Sequence, residues 1–436
     1  MPAVSLGTLR TDGVSTASWG EALLAALAQA SPSDAGELPA ADALVAVQRR
    51  GREALRSQPL PSRRQEPWRF TDLAALQAVP AAPLPPPAGG DGAAWPAPAP
   101  GSLRLRLDGA ADPLAGLALP AGLERVAEPE RAQALGQTLA ASGCREDWPV
   151  LLNKACAQRV LALRVRGQLA TPLELVSDAG AAEGVLPLRV LLLLEPGASL
   201  QLLQVHRASG ASLTSVVVEA HLGAGARLRH GLLAEAGEAS VLLAHLAVAQ
   251  EPQSTYSLTS VTGGWGLSRL EPRVVQIAGA AHTVLRGLQH VAGHRLADTH
   301  SQVMFAGPEG HLEQLHKVVA DEAGRSVFNG AVRVPRAAQR TDAAQLSRSL
   351  LLSDRARVDT KPELEIVADD VRCAHGATVS RLRQDELFYL QSRGIDADLA
   401  ARLLLRGYCE EVLRELPAAA ALWHPLQTLT GSEACR

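Results

Sequence analysis

From about residue 159 to 380 the chain repeats one phrase: a small-residue corner followed by a short strand rich in valine and leucine, with no helix between repeats. "PGASLQLLQ", "GAGARLRHG", "AGEASVLLAH" and "AGAAHTVLRG" carry the corner, while "VLALRVRG", "LPLRVLLLLEPG", "SLTSVVVEAHLG", "RVVQIAG" and "SVFNGAVRV" carry the strands. Strands that follow one another without crossover helices must pair through their corners. That restricts the fold to a stacked β-coil or a large sandwich. The uneven spacing of the corners leaves both open.

The flanks read differently. "WGEALLAALAQA" and "DALVAVQRRGREALRS" repeat apolar residues at helical spacing, so residues 1–78 are expected to form an N-terminal helical region. Residues 79–101, "VPAAPLPPPAGGDGAAWPAPAPG", are too rich in proline and glycine for a helix or central strand, and imply an extended linker. Residues 102–158 form a mixed strand and helix lead-in, opened by the alternating "LRLRLDG", and the β region spans 159–380. Helical spacing returns over 381–436, where Asp385 and Asp396 are expected helix caps and Gly394 a stop.

Composition excludes several functions. Of 436 residues, 42 are Lys or Arg and 45 Asp or Glu, so a net charge of -3 offers no footprint for nucleic acid or an anionic membrane. Five cysteines fall into no CxxC pair, which argues against a disulfide framework and fits a reducing cytoplasm. No apolar run approaches the roughly 18 residues of a membrane span, so a soluble chain is expected. There is no GxxxxGK[ST], HExxH or GxSxG, and "GAGARL" lacks the third glycine of a dinucleotide loop.

Two groups of residues could carry chemistry. His282, His290, His294, His300, His311 and His316 crowd one stretch, but no acid or thiol accompanies them at ligand spacing, and surface imidazoles on a β-coil are the expectation. The second group lies in "KPELEIVADDVRCAHGATVS". Here Leu364, Ile366 and Ala368 share one strand face, opposite Glu363 and Glu365. In an extended strand Cys373 and His375 project on one side, about 7 Å apart. Thiolate and imidazole together suit iron, iron–sulfur or zinc chemistry. Two ligands cannot close a tetrahedral site, so the remainder would come from elsewhere, plausibly another subunit. A packed thiol beside a solvated imidazole is the commoner outcome for such a pair, and a catalytic Cys/His dyad would require a bulge.

Longer blocks carry a resemblance. "TDAAQLSRSLLLSDRARVDTKPELEIVADDVRCAHGATVSRL" followed by "LFYLQSRGI" resembles the SufD branch of the SufB/SufD family of iron–sulfur cluster assembly proteins. "EPWRFTDL" at 66–73 and "VFNGAVRV" at 327–334 look like further signatures. The well-matched part runs from about 324 to 408. Val367, Arg372 and Ala374 stand where the family pattern has Tyr, Lys and Ser.

The resemblance implies a right-handed parallel β-helix between helical ends, and a non-catalytic scaffold subunit in a complex with SufB and the ATPase SufC. It implies pairing with SufB through the β-helices, SufC binding by the C-terminal helical region, and a transient iron–sulfur cluster at the SufB interface. His375 matches the family's contributing histidine, with Cys373 a lesser candidate. ATP hydrolysis would then belong to SufC, which accounts for the missing P-loop, and a flavin in the assembled complex is compatible with it. The alternative is a β-helix enzyme acting on polysaccharide, which would require converging acids in an open groove.

Overall fold

The computed structural model describes residues 18–29, 41–85, 95–425 and 427. Cys435 and the middle of the Pro- and Ala-rich segment, 86–94, lie outside the described residues. Three N-terminal helices, α1 (Trp19–Gln29), α2 (Ala41–Ser57) and α3 (Ala74–Gln77), precede strands β1 (Leu103–Arg106) and β2 (Leu123–Arg125). Helices α4 (Glu128–Ala134), α5 (Gln137–Ala141) and α6 (Trp148–Cys156) follow.

An unbroken series of strands comes next: β3 (Leu161–Val165), β4 (Leu173–Asp178), β5 (Gly184–Leu194), β6 (Ser199–Ala208), β7 (Ser212–Leu222), β8 (Arg227–Ala236), β9 (Val241–Gln250) and β10 (Thr255–Gly263). It continues through β11 (Leu267–Gln276), β12 (His282–Val291), β13 (Leu296–Phe305), β14 (His311–Ala320), β15 (Arg325–Val334), β16 (Thr341–Leu351), β17 (Arg357–Ile366) and β18 (Val371–Ser380). Helices α7 (Gln384–Gln391) and α8 (Ala397–Leu413) follow, and a short 3-10 helix, Ala418–Trp423, comes after them.

The choice between coil and sandwich falls to the coil. One nine-stranded sheet runs β1-β4-β6-β8-β10-β12-β14-β16-β18 and the other β17-β15-β13-β11-β9-β7-β5-β3-β2, with every pair parallel except β2 with β3. From β3 onward, consecutive strands alternate between two facing sheets, which is a parallel β-helix of about 8 turns. Register sets the repeat: Leu202, His230, Leu258, Leu285, Gln314, Gln345 and His375 stand one above another. Their numbers advance by 27 to 31, a drift that hides the period from the sequence.

Corners stack as well. Gly197 and Gly225 take left-handed backbone at φ +71° and +68°, and the same corner in later coils holds Gln253, Ala280, Glu309 and Arg340 at positive φ. Their N–H groups bond the next coil, as in Gly225 to Pro252 and Arg340 to Asp370, so tertiary stacking holds a conformation that non-glycine residues otherwise avoid.

Both faces of the middle strands are covered, which explains why "VLLAHLAVAQ" shows no alternation. Every residue of β9 is buried, between the lumen and helices α5 and α6. Helix α6 is wholly buried, and Asn153 Nδ2 donates to the carbonyls of Leu188 and Ser215 at 3.1 and 3.0 Å. Gly51 lets α2 cross it closely, since a Cβ there would lie 2.6 Å from the Ala155 nitrogen. The described ends of 79–101 are seated on the β-helix: Leu84 N–H donates to the Val185 carbonyl at 2.9 Å, and Trp95 packs beside Trp423. At the C-terminus Asp396 caps α8 by accepting from Leu399 N–H, whereas Asp385 lies inside the first turn of α7, behind an Arg383 cap. No described helix is long and apolar enough to cross a membrane.

The lumen is mostly aliphatic but holds paired polar groups. His230 Nε2 donates to Gln204 Oε1 at 2.7 Å and its Nδ1 accepts from Tyr256 at 3.2 Å, while His206 pairs with Ser177 at 2.8 Å. His316 stacks on Phe328 with centroids 4.3 Å apart, in space left by Gly287. Burial pushes His206 down to about 4, and His230 and His316 to about 3. These rings stay neutral in the fold, whereas unfolded histidines take up protons below about pH 6.5. The stability they contribute is present above that pH and is lost as pH falls toward 4. Denaturant titrations between pH 6.5 and 4.5 are expected to show about 1.4 kcal/mol per pH unit from each histidine, and His230→Gln should remove roughly one third of that slope.

Candidate functional site

The β-helix stops at β17 and β18, each hydrogen-bonded on one side only. In β16 the odd-numbered residues from Thr341 to Ser349 are buried and face the lumen. Register carries that parity to β18, placing Val371, Cys373, His375, Ala377 and Val379 on the lumenal column. On β17, Leu364 and Ile366 lie over the buried Val332 and Val334 and likewise face inward, with Glu363 and Glu365 outward. The expected sharing of faces therefore holds, but no further coil covers this one. Ile366 and Val379 are 40% and 50% exposed, and neighbouring Val367 is 51% exposed.

Cys373 and His375 thus stand side by side at an open lumen. Cys373 is half-buried against the core, which raises its thiol above the ordinary value, while His375 is exposed and its side chain has no hydrogen bond among the described residues. Cys144, Cys156 and Cys409 are deeply buried and pushed to about 12, so Cys373 is the accessible thiol among the described cysteines. The pair belongs to no group of three potential ligands among the described residues. Two donors, one soft and one borderline, face the open lumen from an edge strand, with the rest of a tetrahedral set missing.

The crowded histidines scatter. His294 is exposed and His282 stacks on His311 at 4.3 Å on the outer surface, as surface imidazoles would. His316 departs from that expectation because its even-numbered place on β14 turns it into the lumen. His300 lies 3.0 Å from Asp298.

A charged cluster that sequence reading missed lies on the outer face of the second sheet. Asp147, His245 and Glu271 converge, but Arg269 and Arg273 already contact the acids. Arg269 reaches Glu271 at 2.6 Å and Asp298 at 2.5 Å. Burial pushes the Glu271 carboxyl up, yet Arg269, His245 and Arg273 outweigh it and hold the group well below the usual range. Burial likewise opposes charge on His245, and Glu271 with Asp147 raises it nonetheless. Acids neutralised this way form an ion-pair network, and none is free for the acid–base work of a polysaccharide enzyme there. "EPWRFTDL" locks onto the network: Trp68 lies under Arg269 at 3.9 Å, Thr71 donates to Asp298 at 2.5 Å, and Glu66 meets Lys361 at 2.8 Å. The charges come from strands far apart in sequence, so only interrupted apolar runs such as "SRLEPRV" hinted at them.

The C-terminal helices present a second surface. Helix α8 is anchored through Cys409 and Val412, and Lys317 Nζ donates to the Tyr408 carbonyl at 2.8 Å. Helix α7 buries no residue, leaving Phe388 and Tyr389 71% and 56% exposed beside Leu399 and Leu403. Uncovered apolar side chains grouped in this way are what a docking surface would require.

The family model described as the SUF system FeS cluster assembly, SufBD core domain, matches residues 177–408, more than half of the chain. An iron–sulfur cluster assembly SufBD family protein of Synechocystis is 43% identical over 206 residues, 47% of this chain and 46% of its own. Protein ABCI7, chloroplastic, of Arabidopsis thaliana is 39% identical over 233 residues, 52% of this chain and 49% of its own. Iron–sulfur cluster assembly protein SufD of Escherichia coli is 45% identical over 103 residues, 24% of each chain. These matches span about half or less of the relatives' length.

The matched region holds Arg269, Glu271 and Asp298 but not Trp68 or Thr71. Arg269→Met would remove the cation shared by two buried carboxylates, leaving Glu271 to Arg273 and His245 and Asp298 to His300 and Thr71, and a loss of about 3 kcal/mol is expected in denaturant titrations, with tryptophan fluorescence reporting release of the N-terminal segment.

Proposed function

Because the chain belongs to the SufBD family of SUF-system iron–sulfur cluster assembly proteins, we propose that it is a non-catalytic scaffold subunit, acting in the cytoplasm, on which a transient cluster is built against SufB. The cluster is cargo. His375 supplies a nitrogen ligand at the join, Cys373 is a secondary sulfur donor, and SufB provides the remainder of the set. The observation that carries this reading is the place of the pair: lumenal residues of an edge strand at the uncapped end of the β-helix. Open strand edges and exposed Ile366, Val367 and Val379 favour continuation of both sheets by a second β-helix.

SufC, which hydrolyses ATP, docks on the exposed apolar face of α7 and the first half of α8 in this reading. Helix α8 then passes its motion to the β-helix through Tyr408, whose hydroxyl donates to the Arg348 carbonyl at 2.7 Å. Arg348 lies on β16, the neighbour of the strand that holds His375. Burial raises the Cys373 thiol, so a bound metal would have to drive off its proton, whereas a neutral imidazole binds without that step.

Co-expression with SufB and SufC, followed by anaerobic cluster reconstitution, tests both parts. His375→Ala is expected to leave the complex intact and to reduce cluster yield about tenfold or more. A mutant that assembles cluster at the normal rate sinks the ligand assignment. Val379→Asp places a charge on the open lumen and should abolish co-purification with SufB while the isolated chain keeps its melting temperature; retained pairing would move the interface elsewhere.

A further inference from the structure

Gln345 on β16 pairs in register with His375, and Gln314 on β14 pairs with Gln345. All three belong to the lumenal column. The amides point one way: Gln345 Nε2 donates to Gln314 Oε1 at 2.8 Å, and Gln314 Nε2 donates to Ser301 Oγ at 2.7 Å. Gln345 Oε1 is thereby left buried without a donor. A buried acceptor in that state is costly, and native structures seldom leave one without a reason.

The fold also reserves space for this amide. A Cβ at Gly330 would lie 2.3 Å from Gln345 Nε2 and 2.9 Å from its Cδ. No larger residue fits there without displacing the side chain. The glycine of "VFNGAVRV" and the orphaned oxygen therefore serve one group. Within the chain, the residue of the next coil that stands in register with it is His375. Neighbours in such a column are about 4.8 Å apart, and the step below, from Gln314 to Gln345, is already closed by a hydrogen bond.

We propose that Gln345 is the positioning residue for His375: its Oε1 accepts one ring N–H and turns the other ring nitrogen, with its lone pair, toward the open end of the lumen. The inference rests on the reading of His375 as a cluster ligand. Metal-binding histidines commonly give their second N–H to a carbonyl or carboxylate, which fixes tautomer and ring orientation. An amide does this without adding a charge beside the ring.

The test uses the full chain alone, labelled with nitrogen-15 in its histidines, with His375 assigned by loss of its signals in His375→Gln. In the wild-type chain one ring N–H of His375 should be protected from exchange, unlike that of exposed His294. Gln345→Leu should abolish that protection and shift the tautomer ratio. Gln345→Glu, nearly the same size and still offering an acceptor oxygen at that place, should keep the protection. Unchanged signals from the surface pair His282 and His311 confirm that each variant is folded. A rapidly exchanging ring proton in wild type, or protection and a tautomer ratio unchanged in Gln345→Leu, overturns the proposal. These readouts involve no cluster, so they stand apart from the His375→Ala assembly assay. In the complex, Gln345→Leu is expected to lower cluster yield about tenfold.

Discussion

Each coil of this β-helix satisfies its backbone donors and acceptors through the coils on either side, and the last coil has a neighbour on one side only. That constraint organises the molecule. Inside the stack it enforces register, so like positions form columns and a polar residue in the lumen finds its partner across its own coil or in the next one. At the end of the stack it leaves two strand edges and an open lumen, which is where Cys373 and His375 lie. A backbone that ends unsatisfied is a template for another sheet, and the residues at such an edge are shared property of whatever docks there.

The N-terminal and C-terminal segments answer a different requirement. The second sheet carries buried arginines and acids on its outer face, and these are stable only while water is kept out and every charge is matched. Trp68 and Thr71 complete that network, which ties the N-terminal segment to the middle coils. Glu66 extends the tie to Lys361 on the final coil. The C-terminal helix makes the corresponding connection on the first sheet through Lys317 and Tyr408, leaving α7 and its apolar face outside. One end of the chain is spent on holding the stack and the other on presenting a surface.

Much of this was legible in the residues. Corner phrases and short valine-rich strands indicated stacked β structure, and the two-residue spacing of Cys373 and His375 put them on one side of a strand. The resemblance to the SufB/SufD family then distinguished coil from sandwich. The histidine-rich stretch was less readable, because whether a strand residue faces lumen or solvent depends on parity within a coil: His316 is buried while His282 and His311 lie outside. The cluster of Asp147, His245 and Glu271 had no local signature, since its members meet only when separate coils and α6 are stacked.

By itself, then, the sequence determined the local periods, the corners, and the chemical identity of the two donors, because these depend on neighbours along the chain. Tertiary structure decided the 27 to 31 residue register, and with it which side chains share a column. It also decided that Gln345 lies beside His375, that Gly330 clears room for its amide, and that the donor pair sits at an open end. Those relations join residues half a coil or a full coil apart, and only the stacking of coils fixes those distances.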